Sequence, residues 1–219
     1  MISHTEENYL KAIYKINESS KKAASTNAIS KEIQTSAASV TDMLKRLSEK
    51  KLIHYEKYKG VTLTKNGNIV ATNLIRKHRL WEVFLVNKLH FKWDEVHDIA
   101  EQLEHIKSDL LVDRLDHYLG QPKFDPHGDP IPDEKGNFTY RHQVILSDLS
   151  IGDQGIVVGV QEHSSPFLQY LDQMNLILGT QLEVIDKFEY DESIKIKIGN
   201  SKEVNLTHKV SQNLFIQLI

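Results

Sequence analysis

Cysteine does not occur among the 219 residues, which excludes a disulfide scaffold, a thiol nucleophile and any cysteine-ligated zinc or iron–sulfur centre. A bound metal must therefore be held by histidine and carboxylate. Also missing are a signal-like start and any apolar run near ~18 residues, so the expectation is a cytoplasmic protein with no membrane partner. Excess charge is small as well: the formal net charge is -3, which taken whole argues against a nucleic-acid binder. The average conceals a split, because residues 1–80 carry 15 Lys and Arg against 7 Asp and Glu, while residues 81–219 carry 12 against 23. A basic head of +8 on a body of -11 is the pattern expected when one part alone meets phosphate. With 40% hydrophobic and 26% charged residues, the chain is globular in composition and long enough to bury a core without disulfides.

In TEENYLKAIYKI, Tyr9, Leu10, Ile13, Tyr14 and Ile16 recur at near-helical spacing and predict an amphipathic helix over residues 6–18. Thr26 is placed to cap a short helix carrying Ile29 and Ile33, and Ser36 to cap a second carrying Val40, Leu44 and Leu47. Two short helices with a tight turn between them make the helix-turn-helix pattern. The second exposes Ala37, Ala38, Ser39, Thr41, Asp42, Lys45 and Arg46. Small residues first let a helix enter a major groove, and basic ones later reach phosphates. In IHYEKYKGVTLT two β-prone runs flank Lys57, Tyr58, Lys59 and Gly60, a basic and aromatic tip that reads as a wing on the DNA backbone. Over residues 27–64, charge sign, element order and exposed chemistry favour DNA binding over a small protein-interaction module.

Thr64 then caps a helix from 65 to about 89, followed by helices from about 94 to 106 and from 108, capped by Ser108, to 119, ended by Gly120. Their apolar residues suit dimerisation, which supplies the two-fold symmetry of a palindromic operator. Pro122, Pro126, Pro130 and Pro132 fall with Gly128 and Gly136 in QPKFDPHGDPIPDEKGN, which marks a domain boundary. Beyond it VILSDLSIGDQGIVVGV, LEVID, IKIKIG and NLFIQLI alternate as short strands around one helical run, FLQYLDQMN, as in a small SH3-like barrel.

Ligand-type side chains cluster on the helices over 65–89 and 94–106. His78 and Glu82 are four apart, as are His97 and Glu101, and Glu104 and His105 follow Glu101 by three and four. On a helix such spacings share one face, so EQLEH presents two carboxylates and an imidazole to one cation, with Val96, Ile99, Leu103 and Ile106 on the apolar side. A single Glu/His pair on a helix is usually a solvated face. Two pairs and a triplet within residues 78–105 favour a metal. Oxygen and imidazole donors without thiolate suit Mn²⁺, Fe²⁺, Co²⁺ or Zn²⁺, leaning to Mn²⁺ or Fe²⁺ at the harder end, with Zn²⁺ or Co²⁺ as in vitro occupants.

TEENYLKAIYKI, the helix-turn-helix, HYEKYKGVTLT, RKHRLWE, VHDIAEQLEH and PHGDPIP, in this order, resemble the metal-dependent transcriptional repressors that include the diphtheria toxin repressor and the manganese transport regulator. The resemblance covers the whole chain, most closely residues 5–132. It implies a mainly α fold with a small β part: a winged helix-turn-helix DNA-binding domain over 1–64, a helical dimerisation and metal domain over 65–121, a Pro/Gly-rich linker over 122–141, and an SH3-like domain over 142–219. Carried over by residue, it assigns Glu101, Glu104 and His105 to a primary metal site, completed from the first helix by Asn8 or the neighbouring Glu7. Asn8 stands where the iron-responsive branch has Met and the manganese branch Asp, and Glu101 is Glu as in manganese regulators rather than Cys. Lys11 takes the place of a further carboxylate, which argues against a closely spaced two-metal site. His78, Glu82 and His97 match an ancillary site, completed by His163 with Glu162 as its rival; Pro166 replaces a Gln ligand there. Asp125 and His127 correspond to a Cys and a His of a second metal site in some long members, or simply form a linker turn. For the DNA face the resemblance gives Ser36, Ala38, Ser39 and Asp42, with Thr41, Lys45 and Arg46 nearby; the Asp42 carboxylate either reads a cytosine or packs against Lys45 or Arg46.

The expected function is a homodimeric, Mn²⁺- or Fe²⁺-activated repressor of metal-uptake genes bound to double-stranded DNA, and not an enzyme. The alternative from another class is a helical di-metal carboxylate enzyme, which needs Glu-x-x-His on each of two helices where this chain has only an approach to one. A winged-helix regulator with no metal response is the third reading.

Overall fold

The computed structural model describes residues 2–56, 59–199 and 202–219. Its first helix, α1 (His4–Ser20), starts at a reciprocal cap in which Ser3 and Glu6 each bond the other's backbone N–H, and Lys50 pairs with the Glu6 carboxylate at 2.7 Å. Helix α2 (Thr26–Ile33) is capped by Ser25, one residue before the expected Thr26, whereas α3 (Ala37–Glu49) begins at Ser36 as expected. Strands β1 (Ile53–Glu56) and β2 (Gly60–Leu63) pair antiparallel to form the wing. Leu10, Ile13, Ile29, Val40, Leu44, Leu47 and Val61 interlock beneath them as one core.

Thr64 caps the 25-residue α4 (Lys65–Leu89). Gly67 lies in its first turns because a Cβ there would meet the Leu52 carbonyl oxygen at 1.9 Å, so the helix abuts the wing as closely as backbone allows. The next helix is shorter than expected: α5 spans only His97–Leu103, with no side-chain cap at Val96, and Glu104 terminates it. The segment from 94 is drawn out of the helix because Trp93 buries itself in the core of the C-terminal domain. The expected apolar face is also reversed in part. Ile99, Leu103 and Ile106 are half-buried, while Glu104 is fully buried. Helix α6 (Asp109–Tyr118) follows from the Ser108 cap and packs on α4 through Val112 and Leu115, leaving Leu110, Leu111 and Tyr118 exposed.

The Pro/Gly-rich segment is a strap docked on both neighbours. Ile131 enters the core of α4 and α6, Arg76 donates to the Pro132 carbonyl and pairs with Asp116, and Arg79 bonds the Pro130 carbonyl and Asp129. At Gly128, φ is +92° and a Cβ would meet the Val158 carbonyl oxygen at 2.2 Å. The C-terminal domain is a six-stranded antiparallel sheet ordered β3-β8-β4-β5-β6-β7, comprising β3 (Val144–Ile145), β4 (Gln154–Val160), β5 (Gln181–Lys187), β6 (Ile194–Ile198), β7 (Lys202–Leu206) and β8 (Leu214–Leu218), with α7 (Ser165–Met174) and a one-turn α8 (His208–Ser211). Alternating Val157, Val184, Ile194, Ile196 and Ile216 close its core against Leu168 and Leu171 of α7, an SH3-like arrangement. Strand β7, KEVNL, was not expected because its outer residues are polar; only Val204 and Leu206 are buried.

Candidate metal centre

Three elements converge on one polar cluster: α1, the middle of α4, and α5 with the two residues after it. Lys11 projects from α1 between the carboxylates of Glu101 at 2.5 Å and Glu104 at 2.7 Å, with His78 Nδ1 at 3.4 Å. His78 is within hydrogen-bond distance of both Glu104 Oε2 at 2.7 Å and Glu82 Oε1 at 3.1 Å. Burial works against a charged imidazole at His78, yet its two carboxylate partners raise its pKa. Glu101 is held below the usual carboxylate range against the cost of burial, chiefly by Lys11.

The expected triplet does not point at one spot. Glu101 and Glu104 meet at Lys11, whereas His105, beyond the end of α5, turns its Nδ1 to Glu7 Oε2 at 2.6 Å and leaves Nε2 3.9 Å from Glu104 Oε1. His4, which the sequence reading missed, stacks on the His105 ring at 4.4 Å. Its signal was available, since it lies three residues before Glu7 on the same helix. Asn8 Oδ1 and Glu104 Oε1 are buried without a hydrogen-bond partner. Such orphans are rare in native interiors and mark a missing partner. Carboxylate, amide and imidazole donors with two such oxygens fit a hard or borderline divalent cation. Beside them a cavity of about 440 Å³ opens, lined by His4, Asn8, Lys11, Lys15, His97 and Glu101 among others.

A second cluster continues from the same Glu82. His97 Nδ1 and His127 Nδ1 each lie 3.7 Å from its carboxylate, and Glu82, Asp125 and His127 bring ligand atoms within 4.8 Å of one another. Against burial, the surrounding His127, His78 and His97 imidazoles hold the Glu82 carboxyl well below its ordinary range. Burial, with Glu82 and Asp129 alongside, pushes Asp125 up to about 7, and Glu82 and Asp125 outweigh burial to lift His127 to about 9. His127 Nε2 bonds the Trp93 carbonyl at 2.8 Å, while Nδ1 faces the cluster without a hydrogen-bond partner. Asp125 also builds the turn: its Oδ1 accepts from the backbone N–H groups of His127 and Asp129 at 2.8 and 3.0 Å. Of the two C-terminal rivals, His163 stacks on His127 at 4.7 Å, whereas Glu162 accepts from Ser164 at 2.6 Å. Burial lowers the His163 pKa.

Away from these clusters in the sequence, α3 exposes Ser36, Ala38, Ser39, Asp42, Lys45 and Arg46, with Thr41 half-buried. Asp42 pairs with Lys45 at 3.2 Å, Lys59 pairs with Glu56 at 2.7 Å, and Lys57 and Tyr58 lie outside the described residues.

Comparison with known proteins matches residues 1–61 to the iron-dependent repressor N-terminal DNA-binding domain, 64–133 to the iron-dependent repressor metal-binding and dimerisation domain, and 144–218 to the FeoA domain. A solved manganese-dependent transcriptional repressor in complex with manganese is 34% identical, with a TM-score of 0.86, 98% of this chain and 100% of that one covered. The diphtheria toxin repressor of Corynebacterium diphtheriae is 27% identical over 224 residues, covering 97% of this chain and 96% of its own. That of Corynebacterium jeikeium is 31% identical over 128 residues, 58% of this chain and 53% of its own. The chain spans about half the length, or less, of several of the curated relatives it matches. Among the described residues no helix is long and apolar enough to cross a membrane. Taken with the winged domain, the buried His and carboxylate clusters and the SH3-like sheet, these matches establish that the chain belongs to the family of metal-dependent transcriptional repressors, in its long form with a C-terminal FeoA domain.

Proposed function

We propose that this chain is a cytoplasmic, homodimeric repressor of metal-uptake genes that binds a palindromic operator when Mn²⁺, or secondarily Fe²⁺, is bound. The observation that carries this reading is the pair of partnerless buried oxygens, Asn8 Oδ1 on α1 and Glu104 Oε1 at the end of α5, with His105 Nε2 3.9 Å from the latter. Glu101, Glu104, His105 and Asn8 would hold the activating cation, with Glu7 serving through His105. Glu82, Asp125, His127 and His163, with His78 and His97 beside them, would hold a second one. A divalent cation supplies positive charge that bridges donors from separate elements.

The chain's own residues translate that bridge into DNA affinity. α1 packs against α2 and α4, so joining Asn8 to Glu104 ties the element beneath the helix-turn-helix to the dimerisation helices. That fixes the separation of the two copies of α3 in a dimer, which must match half-sites about 34–36 Å apart. The tie acts by shifting a pre-existing equilibrium, and each factor of ten in the shift is about 1.4 kcal/mol of differential affinity. Lys11 keeps Glu104 by Oε2 and so leaves Oε1 facing His105. Lys45, Arg46 and the wing supply phosphate contacts, and the small residues of α3 admit it to the major groove.

The test is operator binding of wild type and Glu104→Ala titrated with Mn²⁺, Fe²⁺ and Zn²⁺ at fixed salt. The variant is expected to fold and to lose the metal effect; a metal response of wild-type size in Glu104→Ala refutes the assignment.

A further inference from the structure

We infer that His4, Glu7 and His105 form a separate, outer site for a borderline cation of the Zn²⁺ type, which competes with the inner site for one imidazole. The three residues bring one ligand atom each within 4.8 Å of one another. His105 Nδ1 and Glu7 Oε2 are already 2.6 Å apart, with side chains only 10% and 11% exposed, so two of the three donors are preset in a largely dry corner. His4 is exposed in the first turn of α1 and lines the 440 Å³ cavity, which gives the corner an open approach.

Two imidazoles and one carboxylate make a set of three protein ligands with a vacant fourth position, a composition that favours tetrahedral Zn²⁺ over oxygen-seeking Mn²⁺. Bonds of about 2.0–2.2 Å require donors about 3.4 Å apart, so the set, now spread within 4.8 Å, draws in at His4 while the His105–Glu7 pair, at 2.6 Å, widens by about 0.8 Å. The rings of His4 and His105 now stack with planes 8° apart, so their in-plane lone pairs lie in parallel planes and do not converge on one point between the rings. Rotation of the exposed His4 about its side-chain bonds turns its edge to the corner, and a small swing of the Glu7 carboxylate opens its contact with His105 to admit the cation.

The consequence follows from His105. Its Nδ1 belongs to the outer corner and its Nε2 faces Glu104 Oε1 at 3.9 Å. A neutral imidazole has one lone pair, so it ligates through one nitrogen and carries a proton on the other. A cation held through Nδ1 therefore leaves an N–H directed at Glu104 and removes the only imidazole from the inner set. Zn²⁺ at the outer corner antagonises Mn²⁺ at the inner one. This last step rests on the inner-site reading proposed above; the outer site itself does not.

The experiment uses the full chain, with Zn²⁺ and Mn²⁺ alone as probes, in wild type, His4→Ala, His4→Gln and Glu104→Ala. Calorimetry is expected to show one Zn²⁺ equivalent that both His4 variants bind at least tenfold more weakly, with their Mn²⁺ affinity within twofold of wild type. Zinc-edge X-ray absorption on that equivalent is expected to count two imidazoles in wild type and one in His4→Ala. One Zn²⁺ equivalent is expected to weaken Mn²⁺ binding in wild type and not in the His4 variants. Unchanged Zn²⁺ affinity and imidazole count in both His4 variants overturn the proposal. If Glu104→Ala keeps full Mn²⁺ affinity while the His4 variants lose their Zn²⁺, the inner-site reading fails and the outer site stands.

Discussion

Replacing Lys11 by Met removes the ammonium inserted between Glu101 and Glu104 and keeps the length of the aliphatic stem. Lys11 is 6% exposed at its side chain, Glu104 is 0% and Glu101 34%. Breaking a buried ion pair by removing one partner costs about 3–5 kcal/mol, because the remaining charge is left uncompensated. The partial exposure of Glu101 places this case at the lower end, about 3 kcal/mol. For a chain of this size each kcal/mol moves Tm by about 2–4 °C, so the metal-free variant is expected to melt about 6–12 °C below wild type. Divalent cation then does for the two carboxylates what the ammonium did. With the competing charge gone, Mn²⁺ is expected to bind about tenfold more tightly, a gain of about 1.4 kcal/mol. At a free Mn²⁺ concentration 100 times the wild-type Kd, stabilisation is about 2.7 kcal/mol in wild type and about 4.1 kcal/mol in the variant. Thermal melts in chelator and in Mn²⁺ read both effects. A variant as stable as wild type in chelator, or one with no larger Mn²⁺ increment, refutes this account of Lys11.

Other consequences are open to simple measurement. Metal bound by Glu82, Asp125 and His127 must expel the protons that His127 holds up to about 9 and Asp125 up to about 7, so affinity at this site should rise with pH, by about one log unit per pH unit for each proton displaced. Calorimetry in buffers of different ionisation enthalpy counts those protons; release of none contradicts the assignment. Gly128→Ala forces a side chain to φ +92° and into the Val158 carbonyl, which should cost about 1–3 kcal/mol and expose the strap to limited proteolysis. Cleavage no faster than in wild type counts against a docked strap. Ser36→Ala removes the acceptor for the Ser39 N–H at 3.1 Å and should destabilise the N-terminal domain by about 1 kcal/mol in denaturant melts. Arg46→Ala should lower the slope of log K against log salt by about 0.9 if its guanidinium neutralises one phosphate, and an unchanged slope excludes that contact.

Local signals carried most of the fold. Ser36, Thr64 and Ser108 are caps where their side chains predict them, and α4 runs over the stretch its apolar spacing marks. The failures arose where a distant partner overrode local pattern. α5 starts late because Trp93 is claimed by a core built from residues 146–216, and no window around Asp94 reports that. Glu104 is fully buried because Lys11, 93 residues before it, supplies the counter-charge. His78, Glu82, His97, Glu101, Glu104 and His105 stood out by their spacing, whereas Asn8, Glu7, Asp125, His127 and His163 came from the resemblance alone, and neither route gave their grouping. His78 links Glu104 to Glu82, and His105 turns to Glu7, because α5 ends at Leu103 with Glu104 as its helical C-cap and His105 lying past that cap. His4 went unremarked in the sequence, although its stacking on His105 makes it part of the same corner.

In the proposed function, metal and DNA binding are coupled through the junction of α1 and α5. The most direct measurement is the affinity of the full chain for a duplex selected from a random pool in the presence of Mn²⁺, determined by fluorescence anisotropy at constant ionic strength with Mn²⁺ and with chelator. Binding at least tenfold tighter with Mn²⁺ and a palindromic selected sequence are expected. Equal affinity in Mn²⁺ and in chelator contradicts the coupling.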